Sequence, residues 1–407
     1  MTILCAQQQI ATLGSRLTGM DAARGVALLG MIAVHGLGAT SGSGGPNAAY
    51  LIAGGRSAGT FALLTGVAVT FITGRAQVKF GSDARAAAAT LLARATAIGL
   101  LGLALGYTDA TVVEVILPYY AELFLLAIPL VFLPTRVLAA LAVLIAVVVP
   151  TLSQLLRPRL PIPTLDNPDF AYLLRDPLAL LSELSLTGHY PALPWLAYIC
   201  AGMAIGRLRL SRMDTAAGLL VGGTVLGIAV SAASWVLLGP LGGLAHIQAA
   251  TPLDQLATAP TVADYVEVSG EGTTPTTTWW WLASAAPHSG TTLDLAQTAG
   301  AAMALLGAML LLTQLIPAKT TRRPGLVKAA QVASRPLAAA GGMTLTLYTA
   351  SVVFMNSPLD DFSPLGGYLL QVTVALLFAL AWRYTIGRGP LETVVTTLTR
   401  VARNLAR

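Results

Sequence analysis

Arg24 and His35 stand eleven residues apart within one apolar stretch, GMDAARGVALLGMIAVHGLG. An α-helix turns about 100° per residue, so eleven steps return the second side chain to within ~20° of the first, roughly 16 Å further along the axis. That rise is about half the thickness of a bilayer's hydrocarbon core. Ionisable groups inside a membrane helix are costly, so they point into the bundle or a wet cavity and mark function. A guanidinium at one end of such a path is a fixed cation for a phosphorylated molecule. An imidazole at the other end can take or give a proton near pH 7.

Asp21 lies three residues before Arg24, close enough to pair with it, and Thr18-Gly19-Met20-Asp21 has capping-box spacing at the start of the helix. Two further histidines sit in turn-like contexts, His288 in Pro-His-Ser-Gly and His189 in Gly-His-Tyr-Pro, and both are candidates for the same chemistry. His246, in a Gly/Ala-rich stretch, is read as inert. Trp279-Trp280-Trp281 reads as an interfacial aromatic belt rather than a sugar platform. Glu114 and Glu122 read as structural polar partners, with Arg56 able to pair with either. The only cysteines, Cys5 and Cys200, provide neither a disulfide framework nor a cysteine-rich metal site, and no metal ligands are assigned.

The elements that must position these groups are membrane helices. The chain has 407 residues, of which 55% are hydrophobic and 10% charged, against about a quarter charged in a soluble domain. Abundant Gly and Ala suit close helix–helix packing. Hydropathy predicts an all-α polytopic bundle of about ten spans, near 22–40, 51–74, 86–107, 110–133, 135–157, 191–207, 215–238, 293–316, 335–356 and 366–387. No internal repeat is visible. A cleaved signal peptide at the N-terminus is disfavoured, because Asp21, Arg24 and His35 interrupt the apolar run.

The positive-inside rule orients the bundle. With a cytoplasmic N-terminus, all of the 24 basic residues except Arg56, Arg157, Arg159 and Arg175 fall on or near the inner side. The segment 239–292 holds no Lys or Arg but carries Asp254, Asp264, Glu267 and Glu271. Both termini are expected in the cytoplasm, and all 4 histidines then fall on the outer side. The formal charge of +6 comes from short loops between apolar spans, so it is no sign of nucleic-acid binding. Residues 1–387 are read as one transmembrane domain, with outer loops near 158–190 and 239–292. Residues 388–407 are read as an amphipathic cytoplasmic helix on the inner leaflet, started by Pro390.

Asp21-x-x-Arg24-Gly25 followed by His35 resembles the opening signature of membrane-bound acyltransferases, a superfamily that includes type 3 acyltransferases, YeiB-like bacterial proteins and the heparan-α-glucosaminide N-acetyltransferase family. Other segments agree. Arg56 with Phe61-Ala62-Leu63-Leu64-Thr65-Gly66 resembles the second-helix pattern. Tyr190-Pro191-Ala192-Leu193-Pro194-Trp195, then Gly202 and Gly206-Arg207, resembles the sixth. Pro287-His288-Ser289-Gly290 resembles a motif of the actinobacterial branch. Gly342-Met343-Thr344-Leu345-Thr346-Leu347-Tyr348 and Gly389-Pro390-Leu391-Glu392 resemble the closing motifs. One departure stands out: where many relatives carry a histidine shortly after the tyrosine matching Tyr348, this chain reads Thr349-Ala350-Ser351.

The resemblance implies an enzyme of the plasma (inner) membrane that transfers an acyl group, acetyl in the first instance. The donor would be cytoplasmic acyl-CoA and the acceptor a hydroxyl of an extracytoplasmic envelope glycan or glycolipid, trehalose mycolates among the acceptors. Acetyl-CoA is then the donor cofactor, Arg24, Arg56 and Arg207 the candidate residues that hold it, and His35, His288 and His189 the candidate catalytic residues. A histidine would act as general base or as a transient acyl carrier. Two rivals remain at this point: a secondary transporter of a small anion or lipid-linked precursor, and a non-catalytic partner of an envelope-lipid exporter.

Overall fold

The computed structural model describes residues 18–315 and 334–407. Cys5, Arg16 and the basic residues Lys319, Arg322, Arg323 and Lys328 lie outside the described residues. The helices that build the bundle are α1 (Thr18–Leu37), α2 (Arg56–Ile72), α3 (Ser82–Leu105), α4 (Leu117–Leu130), α5 (Thr135–Leu156) and α6 (Ala192–Gly206). They continue with α7 (Met213–Leu238), α8 (Thr292–Leu315), α9 (Ser334–Gly341), α10 (Thr344–Met355), α11 (Pro364–Thr385) and α12 (Pro390–Leu405). No β-strand occurs among the described residues. Among the described residues, seven helices are long and apolar enough to cross a membrane, and α9 with α10 make an eighth span if counted as one. Two of the expected spans, 110–133 and 191–207, are the shorter apolar helices α4 and α6. Pro129 sits in the last turn of α4, where a lost N–H and a ring clash end the helix early.

Helix α1 is the axis of the bundle, packed against α2, α8, α10 and α11, so Arg24 and His35 are enclosed by protein rather than lipid. Glycine makes this packing possible. A Cβ on Gly25 would strike the Leu337 carbonyl of α9, and one on Gly341 would strike the Asp21 carbonyl of α1. The same holds where α2 crosses α6: Gly66 lies against Ile199 and Gly202, and Gly202 against the Leu63 carbonyl. The motif glycines of the second and sixth helices are thus two halves of one crossing.

The chain turns by 83° between α9 and α10. The broken end is held by the closing motif: Glu392 Oε1 accepts from the backbone N–H groups of Leu345 (2.7 Å) and Thr346 (3.2 Å), and Oε2 from the Thr346 hydroxyl (2.6 Å). These are orphan donors of a helix N-terminus, satisfied by a carboxylate where the helix dipole favours one. Helix α12 then runs along α3, burying Val395 and Thr399.

The two ends of the bundle differ in chemistry. At the Arg24 end, Val78 bonds to Val131, Arg207 to Leu133 and Gln314 to Leu210, which gathers the basic loops together. At the His35 end, 239–291 folds into short helices over a small core of Ile247, Val266 and Trp281. Trp281 is fully buried there and donates to Thr277, while Trp280 is half-buried and stacks flat on His246. Only Trp279 is exposed, so the belt expected of all three tryptophans reduces to one; the local core needed the other two.

Candidate active site

A cavity of about 630 Å³ opens at the basic end. Exposed Arg400 and Arg403 of α12 stand at its rim with Arg388, and Asp21, Arg24 and Arg94 lie along its wall. Arg24 donates to Asp21 Oδ1 and to the Leu64 carbonyl, both at 3.4 Å. The Arg94 guanidinium sits over the Phe124 ring, and its Nε has no hydrogen-bond partner. Along α1 the lining runs from Met20 to Met31, a rise of roughly 16 Å. Ile116, Leu117, Tyr120 and Tyr348 form part of the same lining. His35 follows Met31 by four residues on the same face, about 6 Å further along the helix.

Around His35, side chains from three parts of the chain converge on one carboxylate, Glu114. His35 Nδ1 is 3.9 Å from Glu114 Oε2, and the Tyr190 hydroxyl donates to the same oxygen at 3.4 Å. The Tyr190 ring is buried edge-on between Tyr119, Trp195 and His288. His288 has φ +58°, and Gly290, two residues on, has φ +64°; this left-handed turn aims the ring back at α2. There His288 Nε2 accepts the Gly55 N–H at 3.1 Å. A ring nitrogen that accepts carries no proton, and burial depresses the His288 pKa from the usual 6.5 to about 4, against the opposing pull of Glu114. His189 Nε2 meets the Leu165 carbonyl at 3.0 Å. The carbonyl can only accept, so that nitrogen bears the proton. Among the described residues no three His, Cys, Asp or Glu side chains stand close enough to share a metal ion.

Of the residues singled out in the sequence, Arg24 lines the cavity, and His35, His189 and His288 share the cluster beyond its deep end. Arg56 and Arg207 lie apart from that cavity. Arg56 donates to the Leu51 carbonyl (2.6 Å) and Gln297 (3.1 Å) near the histidine end, not to Glu114 or Glu122 as expected. Arg207 donates to the Leu133 carbonyl at 2.6 Å, holding the turn after α4. Glu122 accepts from Ser185 at 2.6 Å. Ser351, in the stretch where relatives carry a histidine, donates to Gln371 at 2.7 Å and ties α10 to α11. Sequence reasoning missed Arg94, Arg388, Arg400 and Arg403 as cavity residues and took Glu114 for a structural group. The basic face of α12 was the legible signal for Arg400 and Arg403. Nothing local pointed to Glu114, whose partners are 75 or more residues away in the chain.

The sequence profile of the heparan-alpha-glucosaminide N-acetyltransferase catalytic domain matches residues 16–237. That stretch is more than half of the chain and includes Arg24, His35, Glu114, His189 and the α2/α6 crossing. No curated protein matches the chain at a significant level. With a buried Arg24–His35 helix at the centre of an apolar bundle, and that profile spanning α1 to α7, the chain belongs to the heparan-α-glucosaminide N-acetyltransferase catalytic-domain family.

Proposed function

We propose that the protein transfers an acetyl group from cytoplasmic acetyl-CoA to a hydroxyl of an envelope glycan or glycolipid on the other side of the plasma membrane. The observation that carries this reading is the alignment of the cavity with His35. Arginines ring its mouth and wall, and it follows α1 to within one helical turn of the imidazole. An acyl-pantetheine arm of roughly 15–20 Å matches such a passage. The donor's phosphates would meet Arg388, Arg400 and Arg403 at the rim and Arg24 and Arg94 further in, as charge-assisted contacts. The basic loops gathered at this end support its cytoplasmic side. His35 is assigned the catalytic role among the three clustered histidines, because His288 Nε2 is taken by Gly55 and His189 is tied to Leu165. Envelope glycolipids, trehalose mycolates among them, are the proposed acceptors at the histidine end.

A donor that binds only the folded protein stabilises it by mass action, by about 2.7 kcal/mol at a hundred times its Kd. Acetyl-CoA should therefore raise the melting temperature of the purified protein. Arg24→Ala should weaken the donor about ten- to hundredfold, the equivalent of one lost charge-assisted contact of ~1.5–3 kcal/mol. Arg24→Lys keeps the charge but loses the planar fork, so it should recover only part. No shift with acetyl-CoA, or unchanged affinity in Arg24→Ala, would contradict this donor site.

A further inference from the structure

Glu114 sits in the short irregular segment between α3 and α4, where a loop glutamate would ordinarily be solvated and mobile. Here the backbone on both sides of it is held. Val115 N–H donates to the buried Asn167 Oδ1 at 2.7 Å, and Asn167 Nδ2 donates to the carbonyls of Val113 (2.9 Å) and Thr108 (3.1 Å). Ile116 N–H donates to the Tyr348 hydroxyl at 3.2 Å. The residue before Glu114, the residue after it and the one beyond are thus each fixed by a side chain from elsewhere in the fold. That places one carboxylate oxygen 3.9 Å from His35 Nδ1 and within reach of the Tyr190 hydroxyl. The side chain keeps 38% of its surface open, so the group is rigid in position without being sealed in the core.

We propose that Glu114 is a positioning residue for His35: it accepts the Nδ1–H of the imidazole and so keeps the Nε2 lone pair available to the acceptor. This rests on His35 being the catalytic histidine. A base needs a third group that fixes its tautomer and stabilises its protonated form, and a firmly held carboxylate facing the far ring nitrogen does both. In the step that follows, the acceptor hydroxyl oxygen attacks the acyl carbon of acetyl-CoA and its proton passes to His35 Nε2. The carbon–sulfur bond breaks, and the departing CoA thiolate takes that proton. Glu114 stays ionised throughout and gains no proton; its charge faces the transient imidazolium. The separation of 3.9 Å is longer than a hydrogen bond, as is common for catalytic pairs before substrate is bound. The other titratable groups near Glu114 are His189, His288, Tyr50, Tyr119, Tyr190 and Tyr348; His189 and His288 have partners of their own, Tyr348 holds the Ile116 N–H, and Tyr190 donates to Glu114 itself.

The test uses purified full-length protein, radiolabelled acetyl-CoA and detergent-solubilised membranes from cells lacking the protein as acceptor source. Glu114→Gln keeps the shape and removes the charge. It should lower kcat about a hundredfold while leaving KM for acetyl-CoA and the melting temperature within experimental scatter of wild type. Glu114→Asp should recover part of the rate. With 4 histidines in the chain, ring ¹⁵N spectra are tractable, the His35 signals being assigned by their loss in His35→Ala. The wild-type ring should carry its proton on Nδ1, and Glu114→Gln should give a mixture of tautomers. A kcat within threefold of wild type in Glu114→Gln, an unchanged His35 tautomer, or a rate loss matched by a fallen melting temperature would each overturn the positioning role. If Glu114→Gln is active and His35→Ala is dead, only the role of Glu114 fails. If His35→Ala is active, the catalytic assignment on which this inference rests fails with it.

Discussion

At the residue scale, three histidines that look interchangeable in the sequence have three different partners in the fold. His288 is the sharpest case, because its ring accepts a backbone N–H and therefore must stay neutral. Its pKa lies near 4 in the folded protein, against 6.5 for an ordinary histidine. Between those values the unfolded chain binds a proton that the folded chain refuses, so folding stability rises with pH across the window and falls on acidification from 6.5 toward 4. The full depression corresponds to roughly 3 kcal/mol at most. His288→Asn removes the titrating group, so its stability should be flatter over the same range in thermal melts at stepped pH. An unchanged slope in that variant would show that His288 does not titrate as described. Arg24 and His35 were legible as a pair because helical phase depends only on spacing. Glu114 was not, since its meeting with His35, His189, His288 and Tyr190 is set by folding across spans, which leaves no local pattern to read.

At the element scale, the span pattern was readable because twenty or so apolar residues in a row have few other fates. Breaks inside spans were harder. The 83° turn between α9 and α10 lies in Gly341-Gly342-Met343, and residues 335–356 read as one helix from hydropathy alone. Glycine at 341 is required by the Asp21 carbonyl that occupies its Cβ position, and the exposed N-terminus of α10 is satisfied by Glu392 from 46 residues away, counting to Thr346. The two closing motifs are therefore one structural unit, a carboxylate cap docked on a broken helix. Glu392→Ala should cost about 0.5–2 kcal/mol, as loss of a helix cap does, and loosen α12 from the cavity wall. Limited proteolysis should then cleave near residue 388 faster than in wild type. Equal protease resistance and an unchanged melting temperature would mean the cap holds nothing in place. From its alternating faces alone, helix α12 reads as a membrane-surface helix. Its packing on α3 puts Arg400 and Arg403 at the cavity rim, a placement that amphipathicity could not supply because any apolar face, lipid or protein, satisfies it.

At the scale of the whole molecule, the bundle is polarised: cations collect around a cavity at one end, and imidazoles and a carboxylate collect at the other. Loop charge and span order in the sequence place the basic residues at one end and the histidines at the other, but not the Glu114 carboxylate among them. This polarity predicts sidedness. A Cys replacing Asp264 should react with an impermeant thiol reagent added outside intact cells, and a Cys replacing Arg403 should react only after the membrane is opened; the reverse pattern would invert the donor and acceptor sides. The proposed transfer takes the acetyl group from a donor in the basic cavity directly to the acceptor, with His35 as general base. The most direct measurement is acetyl transfer from acetyl-CoA by purified His35→Ala beside wild type, with acetyl-CoA affinity measured on the same samples. Loss of general base catalysis should lower the rate about 10²–10⁴-fold. Donor affinity should hold within a few-fold, because the phosphates bind at the other end of the passage. Transfer by His35→Ala within a few-fold of wild type would contradict the account.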